Sequence, residues 1–419
     1  MNNSIFLRLD WLSLLLYLSL AVFGIVNIYS ATYVEGQTDL LNLETPVGKQ
    51  SLFFLLGLIG GGLILFLNIK IFDHLSTPFY FLMILLLVSL FFFGKTISGA
   101  RSWFSIGGFG LQPSEFAKIG TALFLAKILS NFQTNLKTPK SLLQVSGILL
   151  TPMFLIVLQP DPGSALVYLA FFFVLLREGL NLGFLFVLLA AVGLFLGTLL
   201  LEIPVMVSIV VLLLVMVFLL LKKRRYKPKI LPFVGIGTLA VAFVFSVNFI
   251  FNGVFEQRHR DRFNIILGKT VDTQGIGYNI NQSKIAIGAG GFGGKGFLNG
   301  TQTKGNFVPA QHTDYIFSTI GEEWGFVGGV TVILLFAALI IRIVYQAEKQ
   351  TNTFRRAYAY GVASVIFFHF FINTGMALGM VPTIGIPLPF ISYGGSSLLA
   401  FSLMIFIYLN MDANRLNEW

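Results

Sequence analysis

Polar residues that could do chemistry are scarce in this sequence, and they gather in four short groups set among long apolar runs. A charged side chain inside or at the edge of a membrane is costly, so each is a site candidate. In the first group, Gln112-Pro113-Ser114-Glu115, Pro113 and Ser114 suit the start of a helix. Lys118 follows Glu115 by three residues, which puts both on one face. They read either as a pair that handles substrate or as a helix cap with a local ion pair. Lys127, deeper in the same span, snorkels toward the other face. The second group, Gln159-Pro160-Asp161-Pro162-Gly163, is a tight turn in which Asp161 contacts substrate or caps the next helix. The third, His312-Thr313-Asp314, places a carboxylate near the outer membrane surface, where pattern alone favours a helix cap. Two turns on, at least one of Glu322 and Glu323 is expected to face the protein interior. The fourth runs from Val381 through Pro382, Gly385, Pro387 and Pro389 to Ser392-Tyr393-Gly394-Gly395. Proline and glycine at this density break helices, and non-helical backbone at membrane depth survives only where protein or a water-filled cavity covers it. This segment is expected to line a cavity.

The elements that must position these groups are transmembrane helices. Of the 419 residues 56% are hydrophobic and 11% charged, and the mean hydropathy is +0.83; soluble domains carry about 25% charged residues. Apolar runs long enough to cross a bilayer occur at 11–31, 51–68, 77–94, 114–130, 144–159, 163–177, 181–201, 204–221, 230–251, 315–345, 355–380 and 388–411. The expectation is an all-α, polytopic bundle of about ten to twelve helices. The first run reads as an uncleaved span, because similar runs follow it down the whole chain. The sequence has no cysteine, which excludes disulfides and Cys-based metal or redox sites. Neither a Walker A loop nor a Gly-x-Ser-x-Gly elbow occurs, which argues against an ATP-driven pump, and no His, Asp or Glu cluster has metal-ligand spacing. The net charge of +10 is spread between hydrophobic spans, so topology and anionic lipid explain it better than nucleic acid.

Orientation follows from Lys and Arg in the short loops. With the N-terminus cytoplasmic, Lys70, Lys137, Lys140, Arg177, the basic run at 222–229, Arg342, Lys349, Arg355 and Arg356 all fall inside. Two outer segments break the pattern. Residues 95–113 carry Lys95, Arg101 and Trp103. The long loop at 253–313 carries seven basic residues (Arg258, Arg260, Arg262, Lys269, Lys284, Lys295 and Lys304) against three acids, and twelve glycines. Its apolar residues argue for a folded, membrane-apposed loop. A basic outer surface suits anionic headgroups or an anionic ligand.

At these residues the chain resembles the SEDS family of bacterial shape, elongation, division and sporulation proteins. The resemblance rests on Gly99-Ala100-Arg101-Ser102-Trp103, Gln112 to Lys118, Gln159-Pro160-Asp161 and Gly275-Ile276-Gly277-Tyr278. It continues through Gln282 to Gly288, Gly294-Lys295-Gly296, Gly300-Thr301-Gln302, His312 to Phe317, Gly321 to Gly325 and Pro387 to Ser397, in order over nearly the whole chain. The Gly-Lys-Gly and Gly-Thr-Gln stretches favour the elongation branch over the division branch. The resemblance implies a peptidoglycan glycosyltransferase that polymerises lipid II at the outer face of the cytoplasmic membrane. Its implied partners are a class B penicillin-binding protein, the lipid-linked glycan strand and other elongation-machinery membrane proteins. The catalytic aspartate of the family falls on Asp314. The substrate-binding set then comprises Glu115, Lys118, Arg101, Trp103, Asp161, Arg258, Arg262, Ser283, Lys284, Lys295, His312, Thr313, Ser392 and Tyr393.

The chemistry expected is a single inverting displacement. Basic side chains hold a lipid diphosphate leaving group, with Mg²⁺ or Mn²⁺, or with Arg and Lys alone. A lipid II flippase is the alternative; it would need polar residues through the full membrane depth, whereas these gather on one side. Three departures from the family pattern stand out. Ala310 replaces a common Glu, Ser102 stands where many members have Arg, and the helix count exceeds the family's ten, which an added hairpin at 204–251 would explain.

Overall fold

The computed structural model describes every residue except 1–4, 35–41, 98, 108, 224–228, 255–256, 270–275 and 416–419. Much of the basic run at 222–229 and the start of the Gly275 motif therefore lie outside the described residues. Long apolar stretches leave the backbone no partner in lipid except itself, and the chain answers with helices. They are α1 (Trp11–Ala31), α2 (Pro46–Leu65), α3 (Ile69–Phe93), α4 (Pro113–Ser130), α5 (Pro139–Leu158) and α6 (Pro162–Arg177). After these come α7 (Gly183–Leu200), α8 (Ile203–Lys223), α9 (Ile230–Phe249), α10 (Gln257–Ile266), α11 (Ile276–Ala289) and α12 (Thr301–Lys304). The last four are α13 (Ile316–Glu323), α14 (Gly325–Glu348), α15 (Thr353–Ala377) and α16 (Gly395–Ala413). Among the described residues, ten helices are long and apolar enough to cross a membrane. The protein is a polytopic helical bundle.

Two compact units can be distinguished: residues 1–180 with 278–419, and residues 181–277. In the first, α15 and α16 are 72% and 89% buried over their most apolar windows. Helix α4 is buried along nearly its whole length. This burial explains why α4 can carry Glu115, Lys118 and Lys127, for its face meets protein rather than lipid. In the second unit the windows of α7, α8 and α9 are each only 11% buried, as expected of helices whose side chains meet acyl chains.

Several helices start earlier than expected, α3 at Ile69 rather than 77, and three segments differ in kind or beside the polar groups. The run at 315–345 is two helices, broken where Gly325 takes a φ of +63°. The last span begins at Gly395 rather than 388. Residues 388–394 satisfy an apolar count but, with Pro387 and Pro389, do not form a helix. Residues 95–111 form a small antiparallel sheet of β1 (Lys95–Ile97), β2 (Ala100–Ile106) and β3 (Phe109–Leu111), in that order. Its register pairs Lys95 with Trp103 and Ser105 with Gly110.

Candidate active site

The His312-Thr313-Asp314 group lies in an irregular turn ahead of α13, whose N-cap is Tyr315 and not Asp314. The turn starts at Ala310, which adopts a φ of +53°, and the Ala310 carbonyl accepts from the amides of Thr313 and Tyr315. Four consecutive residues are then tied down from elsewhere in the chain. The Tyr393 amide donates to the His312 carbonyl at 2.8 Å, and Ser392 Oγ donates to the Thr313 carbonyl at 2.6 Å. Asn373 Nδ2 of α15 donates to the Asp314 carbonyl at 2.9 Å and to the Ile386 carbonyl at 2.8 Å. The Tyr315 hydroxyl meets Thr383 Oγ1 at 2.6 Å.

The Pro-rich segment is thus a clamp, and it is itself braced. Gln50 of α2 donates to the Ser392 carbonyl and accepts from the Gly394 amide, both at 3.1 Å. The Leu388 amide donates to Ser392 Oγ at 2.8 Å. Asp314 is half-buried, and its carboxylate borders Gly385, whose φ is +74°. A Cβ placed there would stand 3.7 Å from Asp314 Oδ2, so glycine supplies both the backbone turn and the open space beside the carboxylate. The His312 ring packs against Tyr393, with centroids 5.5 Å apart. Burial lowers the His312 pKa below the ordinary imidazole value, which favours the neutral ring.

Glu115 and Lys118 form a buried ion pair at 2.9 Å, 2% and 1% exposed. Lys118 Nζ also lies 2.9 Å from His369 Nε2. His369 Nδ1 sits 3.1 Å from the Pro387 carbonyl, so Nδ1 carries the proton and Nε2 accepts from the ammonium. The pair therefore props the clamp from beneath through His369 rather than opening to a solvent cavity. Asp161 is the N-cap of α6, accepting from Ser164 N at 3.0 Å, Ser164 Oγ at 2.8 Å and Gln112 Nε2 at 3.1 Å. Burial raises its pKa, and the Ser164 hydrogen bonds only partly offset this.

Several expected ligand-binding side chains have structural partners. Lys295 pairs with buried Glu322 at 2.9 Å and donates to Thr301 Oγ1 at 2.6 Å. Glu322 also accepts from Gln302 N, Thr303 N and Thr303 Oγ1 at 2.8–2.9 Å. Burial raises the pKa of Glu322, but these donors and Lys295 outweigh it and lower the value overall. The Gly294-Lys295-Gly296 and Gly300-Thr301-Gln302 stretches are thus a clasp that docks the long loop onto α13. Glu323, also buried, accepts from Ser30 Oγ. Arg101 donates to the Gly94 and Phe92 carbonyls at 3.0 and 3.2 Å, capping the end of α3. Trp103 lies in β2 over Gly110. Ser283 Oγ donates to the Ala377 carbonyl at 2.8 Å, anchoring α11 to the end of α15. Beside it, exposed Lys284 lies across Gly379, at the entry to the clamp. Arg262 is half-buried in α10, in the other unit, and the Arg258 side chain lies outside the described residues. Sequence reasoning did not assign roles to Gln50, His369, Asn373 or Gly385. A signal existed for two of these: His369 and Asn373 are polar residues one helical turn apart in an apolar span.

A family model described as a cell cycle protein, FtsW/RodA/SpoVE, matches residues 10–203 and 181–417. The chain belongs to the FtsW/RodA/SpoVE family. It is 33% identical to the peptidoglycan glycosyltransferase RodA of Treponema pallidum, covering 97% of this chain and 98% of that one. It is 31% identical to the peptidoglycan glycosyltransferase MrdB of Escherichia coli, covering 97% and 94%. A chain from a solved peptidoglycan synthase complex that coordinates polymerisation and crosslinking superposes with a TM-score of 0.73 at 27% identity, covering 98% of this chain and 100% of that one. RodA of Thermus thermophilus gives 0.62 at 25% identity, covering 98% of each.

Proposed function

We propose that this FtsW/RodA/SpoVE-family chain is a peptidoglycan glycosyltransferase that polymerises lipid II, with Asp314 as its general base. The observation that carries the reading is the clamp on residues 312–315, because rigid backbone on both sides of one half-buried carboxylate is what a positioned base requires. Asp314 takes the proton of the acceptor sugar hydroxyl as that oxygen bonds to the donor anomeric carbon. The bond from that carbon to the diphosphate breaks, and the lipid diphosphate leaves with its electron pair. One displacement inverts an α-linked donor to a β-linked product. Exposed Lys284, at the entry to the clamp, is the cation assigned to the leaving diphosphate. Among the described residues no three or more His, Cys, Asp or Glu side chains gather; a divalent cation such as Mg²⁺ or Mn²⁺, if bound with the substrate, would help neutralise the leaving diphosphate beside Lys284.

Sidedness follows the Lys and Arg distribution: both termini cytoplasmic, and the clamp, the 253–313 loop and Asp314 at the outer face of a bacterial cytoplasmic membrane. A class B penicillin-binding protein is the proposed partner; the coordinated polymerisation and crosslinking named for the superposable complex supports it. The hairpin of α8 and α9 reads as an addition to the family's plan, and its sparse burial, 11% over each window, suits a peripheral pair. The test is polymerisation of labelled lipid II by the purified chain with its partner. Wild type should give polymer and Asp314→Ala none; polymer persisting in the variant overturns the assignment.

A further inference from the structure

Within residues 181–277 lies a cavity of about 370 Å³ that the reaction above does not use. It sits where three apolar spans end together, at Leu200 of α7, Ile203 of α8 and Phe249 of α9. Helix α10 folds over this end because Phe263 wedges between Phe195 and Phe251, with ring centroids 5.7 and 6.0 Å apart. Leu199, Val247 and Leu267 complete that apolar floor. The wall facing the floor is polar and basic. It carries Arg260, Lys269, Asn248, Asn252 and Asn264, against one acid, Glu202.

Two details show that the cations are placed. The end of α10 closes with the Gly268 amide on the Ile265 carbonyl at 3.1 Å and the Lys269 amide on the Asn264 carbonyl at 2.9 Å. Gly268 takes a φ of +69°, and this left-handed closure turns Lys269 back toward the cavity. Arg260 donates through Nη1 to the Asn252 carbonyl at 3.1 Å. Its Nε is buried and has no hydrogen-bond partner among the described residues. A buried guanidinium N–H without an acceptor is costly, and an oxyanion in the cavity would satisfy it with a charge-assisted bond. The neighbouring amides add neutral donors: Asn252 Nδ2 gives one N–H to Asn248 Oδ1 at 2.8 Å, and its second N–H and those of Asn248 can serve another acceptor.

We infer that this cavity is a binding site for a phosphoryl group carried on a lipid. An apolar floor at the ends of the spans beside a wall with two cations matches a molecule whose phosphate sits at the membrane edge above its hydrocarbon. The shared chemistry is met by an anionic phospholipid and by a polyprenyl diphosphate. The site stands independently of the reaction assigned to Asp314.

The experiment is native mass spectrometry of the full-length protein titrated in turn with phosphatidylglycerol, undecaprenyl diphosphate, phosphatidylcholine and inorganic diphosphate. Wild type should retain phosphatidylglycerol or undecaprenyl diphosphate over phosphatidylcholine, and the preferred one names the source. Arg260→Gln with Lys269→Gln should weaken that binding at least tenfold. Glu202→Gln, a gain that misfolding cannot mimic, should tighten it severalfold. Lys284→Gln, which removes the cation assigned to the diphosphate beside Asp314, should leave binding at this cavity as in wild type, which separates this site from the catalytic one. Wild-type affinity in the double variant, or no gain in Glu202→Gln, overturns the site. Inorganic diphosphate competing as well as the lipids overturns its lipid-borne character.

Discussion

Replacing Lys118 by Met, Glu115 by Gln, and both together isolates the energetics beneath the clamp. The pair is buried to within 2% and lies 2.9 Å apart. Lys118→Met strands a carboxylate that is only 2% exposed and removes the donor to His369 Nε2. Removing one member of such a pair costs about 3–5 kcal/mol, and Glu115→Gln, which leaves the ammonium with only a neutral acceptor, falls in the same range. Replacing both leaves neutral groups of similar volume, for which a cost of about 1 kcal/mol or less is expected. The coupling should therefore reach about 5 kcal/mol or more. Arg177 and Glu348, 2.5 Å apart but 39% and 43% exposed, supply the internal control, with an expected coupling under about 1 kcal/mol. Unfolding by SDS titration in mixed micelles reads both cycles. Additivity within about 0.5 kcal/mol at Glu115 and Lys118 would refute the argument that burial makes the pair interdependent.

Other outcomes follow from the same geometry. Asp314→Asn should keep the fold and lose on the order of 10²–10⁴ in polymerisation rate, the range of a general base; lipid II turnover checks it. Asn373→Leu frees the Asp314 and Ile386 carbonyls together and should lower the rate about a hundredfold through misplacement of the base, with thermal stability falling by less than Lys118→Met causes. Asp161→Asn should be tolerated better than Asp161→Ala at neutral pH, because burial raises the Asp161 pKa and disfavours its ionised form, while Asn can still cap α6; melting temperatures decide. His312 is held below the ordinary value of 6.5, so the unfolded chain binds the proton more readily and stability is lost as pH falls through and below that value. His312→Asn should flatten this acid limb of the pH–stability curve.

The helices and polar motifs were legible because their signals are local. Hydropathy marks a span by the composition of one stretch, and the stretch from His312 to Phe317 is recognisable as it stands. What the motifs do was less legible. Lys295 reads as a loop cation, yet its partner Glu322 is 27 residues away, and no local pattern announces that distance. Asn373 and Gln50 act on carbonyls, which every residue has, so no complementary residue type marks the contact. The start of the last span was misplaced for a different reason: Leu388, Phe390 and Ile391 are apolar enough to count as membrane, but they are buried in protein and non-helical. Arg101 was legible as a cation and not as a cap, because its acceptors are backbone groups at the end of α3.

The clamp on residues 312–315 also sets an order of events during biosynthesis. Asp314 emerges from the ribosome before Asn373, Thr383, Ser392 and Tyr393, all of which hold its turn, and these come from the last part of the chain to be translated. The aspartate proposed as the base therefore has no fixed address until the final two helices have entered the membrane. A nascent or prematurely ended chain carries every loop motif up to the aspartate and is still incompetent, so activity switches on only when insertion is nearly finished.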